Sequence, residues 1–120
     1  NGFLWAMWGV WDYLQLKEGD AGLRARLQDL WSRSVANLER NLSRFDCGCW
    51  SLYDLAPVEM QNAASPFYHR LHIVQLDIMA RLTGKQVFLK FGERWSGYGA
   101  NAGCRLRALG KKALFKLRYY

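Results

Sequence analysis

The segment Ser65-Pro66-Phe67-Tyr68-His69-Arg70-Leu71-His72-Ile73-Val74-Gln75-Leu76 sets polar side chains inside an apolar helical pattern. Serine followed by proline is a helix start: the hydroxyl takes an early backbone N–H, and proline tolerates the first helical position. At about 100° per residue, Tyr68, His72, Gln75 and Met79 fall on one arc flanked by Leu71, Ile78 and Leu82. Arg70, Asp77 and Arg81 fall opposite and mark the solvent side. A phenol, an imidazole and an amide on a buried face need partners, because each costs about 1–3 kcal/mol if left unpaired. The partner is either the core or a ligand.

The rest of the chain reads as helices around this one. Its 120 residues allow at most one domain, and a hydrophobic fraction of 51% with 15% aromatics excludes disorder. Residues 2–17 are apolar on nearly every side, which predicts a helix packed on more than one face. The absence of an initial methionine and this core-like start suggest a piece of a longer protein. Gly19-Asp20 breaks the pattern, and an amphipathic helix follows from Ala21 to about Arg44. The turn Asp46-Cys47-Gly48-Cys49 leads into Trp50-Ser51-Leu52-Tyr53-Asp54-Leu55, read as a short strand or extended segment. The Ser65 helix runs to Thr83-Gly84, and another begins near Gln86. Gly97, Gly99 and Gly103 predict a loosening before a final basic segment. The fold class is mainly α, in antiparallel helical hairpins with one short extended insertion.

Charge and cysteine usage narrow the partners. The net charge is +7. Arg105, Arg107, Lys111, Lys112, Lys116 and Arg118 supply six positives with no acid after Cys104, leaving residues 1–104 near neutral. The chain therefore divides into a helical part, 1–104, and a basic tail or helix, 105–120. Leu106, Leu109, Ala113 and Leu117 recur at roughly helical spacing in that tail. It reads as a solvated helix packed on the domain, the commonest case, as a patch for an anionic glycan, or as a helix on an anionic membrane surface. Nucleic acid is not expected, since the folded part lacks interleaved basic and aromatic residues. Cys47, Cys49 and Cys104 are odd in number at spacings that suggest no disulfide framework, which points to a reducing, cytoplasmic or membrane-peripheral setting. His69 and His72 lack a metal-ligand pattern around them, and Cys47-x-Cys49 lacks a second pair, so neither metal nor cofactor is expected. The N-terminal apolar run is broken by Asp12, is too short to span a bilayer and has no basic leader.

Three motifs occur in order: Asn1-Gly2-Phe3 opening an aromatic helix, Tyr53-Asp54-Leu55 after a Gly/Ser turn, and Tyr68-His69 with His72 and Gln75-Leu76. Together, over about residues 1–98, they resemble the C-terminal domain of D-glucuronyl C5-epimerases. The resemblance implies an α/α toroid and the conversion of D-glucuronate to L-iduronate in a heparan-type polysaccharide. It implies that Tyr53 and Tyr68 serve in proton transfer at the reacting sugar. A third family tyrosine belongs to a Glu-Tyr-Pro segment just upstream of Asn-Gly-Phe, before Asn1, so this stretch alone is expected to be inactive. The animal enzymes carry an Arg-His pair where this chain has Ala56-Pro57.

Epimerisation at ring carbon five removes a proton beside a carboxylate, holds the resulting charge and returns the proton to the other face. Tyrosine acts as a base only where a cation favours its phenolate. Around the catalytic pair Tyr53 and Tyr68, the substrate-binding candidates are Asn1, Trp50, Asp54, His69, Arg70, His72 and Gln75. Of these, His69, Arg70 and His72 are the candidates for charge stabilisation. Trp50 is the sugar-stacking candidate, whereas Trp5, Trp8, Trp11 and Trp31 read as core. Read without the resemblance, either tyrosine is a packed aromatic with its hydroxyl on a backbone carbonyl. Three functions stay open: a uronate C5-epimerase domain, a noncatalytic binder of anionic glycan, and a lyase sharing the same proton abstraction. A homodimer also stays open.

Overall fold

Side-chain caps start three of the helices, at Asp20, Ser65 and Asn101. The structure, a computed structural model, describes residues 1–119. It contains five α-helices: α1 Gly2–Gln15, α2 Ala21–Asn41, α3 Pro66–Thr83, α4 Gln86–Ala100 and α5 Ala102–Tyr119. Among the described residues there is no sheet, so the mainly α expectation holds. No helix among them is long and apolar enough to cross a membrane. The chain divides into two compact units, Asn1–Asn41 and Leu42–Tyr120.

The first unit is the α1/α2 hairpin. The Asp20 carboxylate accepts the Leu23 N–H and starts α2. Arg24, one turn in, donates to the Leu14 carbonyl at 2.7 Å and to that of Leu16, taking up acceptors at the end of α1. Gly19 has φ of +151°, a conformation that favours glycine, and a Cβ there would meet the Tyr13 hydroxyl at 3.1 Å. The expectation of a helix buried on several faces is corrected. Leu4 and Met7 are buried, but Phe3 and Trp5 are about half exposed, so Trp5 is not core. Trp11 and Trp31 do pack, with ring centroids 5.0 Å apart.

In the second unit, a 3-10 turn over Leu42–Phe45 replaces the last turn expected of α2. The extended segment forms two single-residue antiparallel bridges, Asp46 with Ser51 and Leu52 with Ala63. Trp50 packs with Ala63, Ala64 and Ala108 in a buried cluster of this unit, with Tyr68 and Tyr98 against its edge. The Asp46 carboxylate ties the turn to α4, accepting from Trp95 Nε1 at 3.2 Å and from the Tyr98 hydroxyl at 3.4 Å, with Arg94 at 3.5 Å. Burial, reinforced by Asp46, pushes the Tyr98 phenol above its ordinary value and keeps it a donor.

Helix α3 starts as its sequence requires: the Ser65 hydroxyl accepts the Tyr68 N–H, and Pro66 takes the first position. It ends at Gly84, which is left-handed with φ of 68°. The loosening expected at Gly97 and Gly99 does not occur. Helix α4 runs through both and stops only at Asn101, whose side chain accepts the Cys104 N–H and starts α5.

The tail forms the helix expected of it, with the other face inward. Ala108 and Phe115 are buried, whereas Leu106, Leu109, Leu114 and Leu117 are exposed. A disulfide between Cys49 and Cys104 and a hydrogen bond from Lys112 to Asn62 hold that inward face. The disulfide corrects the reading of the cysteines as unpaired, since only folding brings residues 55 positions apart together. With it, the argument for a reducing compartment loses its basis, because such bonds persist in oxidising ones.

Closing a loop of this length restricts the unfolded chain by about 4 kcal/mol in the loop-entropy description. Cys49→Ser, Cys104→Ser or full reduction is therefore expected to lower unfolding stability by about 2–4 kcal/mol, measured by urea titration. Cys47→Ser should change little, since Cys47 is the free thiol. Equal midpoints with and without reductant would show that the bridge contributes nothing.

Candidate active site

Ser51 is fully buried, and its hydroxyl lies 2.8 Å from Nδ1 of His69 and 2.8 Å from Nδ1 of His72. His69 Nε2 sits 2.9 Å from the Trp95 carbonyl, which can only accept, so this nitrogen carries the proton. Its Nδ1 then accepts from Ser51, whose backbone N–H also points to it at 3.3 Å. The neutral arrangement consistent with these contacts runs from His72 Nδ1–H to the Ser51 oxygen, from the Ser51 hydroxyl to His69 Nδ1, and from His69 Nε2–H to Trp95. Burial lowers the pKa of both histidines; that of His72 falls to about 4, with His69 adding to the shift. Both rings are therefore neutral near pH 7.

This chain fixes the two elements that carry the tyrosines. His69 is on the first turn of α3, and Ser51 is in the extended segment two residues before Tyr53. Trp50 stacks on His69 with centroids 3.7 Å apart and donates its indole N–H to the Ala64 carbonyl at 2.9 Å. With these anchors in place, Tyr53 and Tyr68 meet edge to face with centroids 4.8 Å apart. The Tyr53 N–H donates to the Asn62 carbonyl at 2.8 Å, and Asn62 Nδ2 donates to Asp54 Oδ2 at 2.7 Å. Lys112 of α5 donates to Asn62 Oδ1 at 2.7 Å and stands 5.5 Å from the centre of the Tyr53 ring. Tyr53, Asn62, Lys112, Phe115 and Lys116 line a cleft of about 350 Å³, within the range of small-ligand sites.

The sequence-predicted residues thus separate into groups. Tyr53 lines the cleft, Tyr68 meets the Tyr53 ring edge to face, and Asp54 holds Asn62, which also lines it. Trp50 is 4% exposed and belongs to the core, which corrects its reading as an exposed stacking platform. His69 and His72 are both held by the Ser51 hydroxyl, and burial lowers the pKa of each. Arg70 is exposed on α3, as its helical position required. Gln75 is fully buried, and neither its amide oxygen nor its nitrogen finds a hydrogen-bond partner, so the pairing expected on this face reaches the histidines and stops there. Asn1 heads α1 in the first unit with its side-chain oxygen buried and unpaired. Among the described residues no group of three or more His, Cys, Asp or Glu side chains could hold a metal.

Sequence reasoning missed Ser51, Asn62 and Lys112. A serine between two aromatic-flanked positions carries no signal of its own, and Lys112 was one of six positives in the tail. The spacing of Ala108 and Phe115 marks the inward face that carries Lys112 to its edge.

The lowered histidine pKa values have a consequence for stability. The unfolded chain takes up a proton on His72 near pH 6.5, whereas the folded chain resists it down to about 4. Stability is then complete above about 6.5 and is lost as the pH falls towards about 4, by on the order of 2–3 kcal/mol from this group. Urea midpoints measured between about pH 7.5 and about pH 4 are expected to fall on acidification, and His72→Gln should flatten that slope. The same slope in His72→Gln would assign the acid sensitivity to other groups.

The comparisons with known proteins agree with these motifs. The family described as D-glucuronyl C5-epimerase C-terminus matches residues 1–97. The D-glucuronyl C5-epimerase of Caenorhabditis elegans is 34% identical over 108 residues, covering 82% of this chain. The chain spans only 18% of that relative's length. No solved structure matches.

Proposed function

The chain belongs to the D-glucuronyl C5-epimerase C-terminal family, and from that premise we propose that it forms part of a uronate C5-epimerase acting on a polysaccharide, with Tyr53 and Tyr68 as its proton-transfer pair. The observation that carries this reading is the edge-to-face contact of the two tyrosines, 4.8 Å between centroids, with Tyr53 on a cleft. They come from separate elements, yet the two tyrosine-bearing motifs of the three meet in one contact.

The chemistry follows from the acidity of the bond beside the carboxylate. One phenolic group takes the proton from ring carbon five, and the electrons of that bond pass into the carboxylate as an enolate-like dianion. Return of a proton to the opposite face inverts the carbon and regenerates the carboxylate. The pair must be backed by positive charge, both to make one phenolate available and to hold the dianion. The rest of the sugar-binding cleft belongs to the longer protein of this family.

Ala56-Pro57 favours a second reading, a relative that binds anionic glycan without turning it over. Both residues are exposed and neutral where the animal enzymes carry Arg-His. Incubation of the full-length protein with glucuronate-containing polysaccharides in deuterated water separates the readings by NMR. Deuterium is expected at ring carbon five, lost about 100-fold or more in Tyr53→Phe or Tyr68→Phe. An unsaturated product would identify a lyase, and binding without exchange across several glycans would establish the noncatalytic reading.

A further inference from the structure

We propose that Lys112 is the carboxylate anchor of this cleft, the cationic group that receives the uronate of an acidic glycan beside Tyr53 and supplies the charge that Ala56-Pro57 lacks. The inference rests on the epimerase reading for its substrate class and goes beyond it in assigning a residue of α5, outside residues 1–97 that match the family.

Its argument is one of charge and free donors. An ammonium has three N–H donors. Lys112 gives one to Asn62 Oδ1 at 2.7 Å, and that partner is neutral. Asn62 is itself held by Asp54, which takes its Nδ2–H at 2.7 Å, so the amide is fixed with its oxygen towards the lysine. The acid therefore orients the lysine through a neutral residue and leaves its charge uncancelled by direct contact. The remaining donors belong to a side chain that lines the cleft, where a carboxylate with two oxygens can take them. Burial, followed by the nearby positive charge of Lys116, pushes the ammonium below its ordinary value, while Asp54 opposes the shift. An anion would relieve both unfavourable effects.

Lys116, one turn further along α5, lines the same cleft, and the remaining cations near this unit's anchors are placed differently. Arg94 is beside Asp46, Arg118 is 3.5 Å from Glu59, and Arg70 is exposed on α3. Lys112 both approaches the Tyr53 ring, at 5.5 Å, and is fixed by hydrogen bonding at the cleft. A carboxylate held there places its neighbouring C–H bond beside the tyrosine pair. The positive charge then favours the dianion formed when that bond breaks, as well as the phenolate that breaks it.

The test uses a polymer of alternating glucuronate and N-acetylglucosamine and its carboxyl-reduced counterpart, with the full-length protein. Binding is measured by calorimetry and exchange at ring carbon five by NMR. Lys112→Met is expected to weaken binding of the uronate polymer about tenfold or more, with the carboxyl-reduced polymer unaffected. Lys112→Arg should recover part of the loss, and Arg107→Gln, which removes an exposed charge of the same helix, should not reproduce it. Should Lys112→Met fail to fold, reductive methylation of the wild-type protein reads the same contact: the uronate polymer, and not the reduced one, should protect Lys112. Unchanged uronate binding and exchange in folded Lys112→Met, equal losses for both polymers, or no protection would overturn the anchor while leaving the epimerase reading in place. Carboxylate-selective binding that depends on Lys112, without exchange in the wild-type protein, would overturn the epimerase reading and uphold the anchor. A wild-type protein that binds neither polymer would overturn both.

Discussion

The placement of the tyrosines depends on one buried hydroxyl. Ser51 sits between His69 and His72, and through His69 it reaches the Trp95 carbonyl of α4. Three pieces of chain that are separate in sequence are joined there by short neutral hydrogen bonds. The chain works only while the His69 imidazole stays neutral, since its Nδ1 takes the Ser51 proton. A proton on His69 Nδ1 would remove the acceptor of the Ser51 hydroxyl, whereas a protonated His72 would still donate from its Nδ1. Trp50 stacked on His69 shields this arrangement and makes the tryptophan a wall of the site instead of a surface for sugar.

A second group of contacts builds the cleft out of α5. The Cys49–Cys104 disulfide joins the start of that helix to the turn before Trp50, and Lys112 meets Asn62 about two turns later. These points lie on the side that buries Ala108 and Phe115, leaving the leucines at 106, 109, 114 and 117 exposed. A helix with apolar residues on two sides has no unique inward face by periodicity alone. Covalent and polar contacts at its edges select one. That selection turns a general excess of positive charge into a lysine at a particular cleft.

Local sequence accounts for much of the second unit's secondary structure. Ser65-Pro66 and Gly84 bound α3 because capping needs only residues within a turn of the helix end. The glycines of α4 misled the same reasoning: glycine disfavours a helix only by about 1 kcal/mol, and packing against α3 outweighs that. Gly92 is buried there, with Leu76 as the nearest side chain. On α3 the inward arc proved wider than its periodicity suggested. His69 and Leu76 are buried along with Gln75 and Met79, since more than one element covers the helix.

What the sequence by itself determined is the helical class, the ends of α3 and the three motifs that carry the family resemblance, including both tyrosines. These follow from residues near one another in the chain, where hydrogen-bonding partners and periodic faces can be read directly. The tertiary structure alone decided that Ser51 partners the histidines, that Cys49 finds Cys104, that Gln75 goes unpaired and that Lys112 stands over Tyr53. Each of those outcomes depends on distances between residues that the chain separates by tens of positions, and only packing sets such distances.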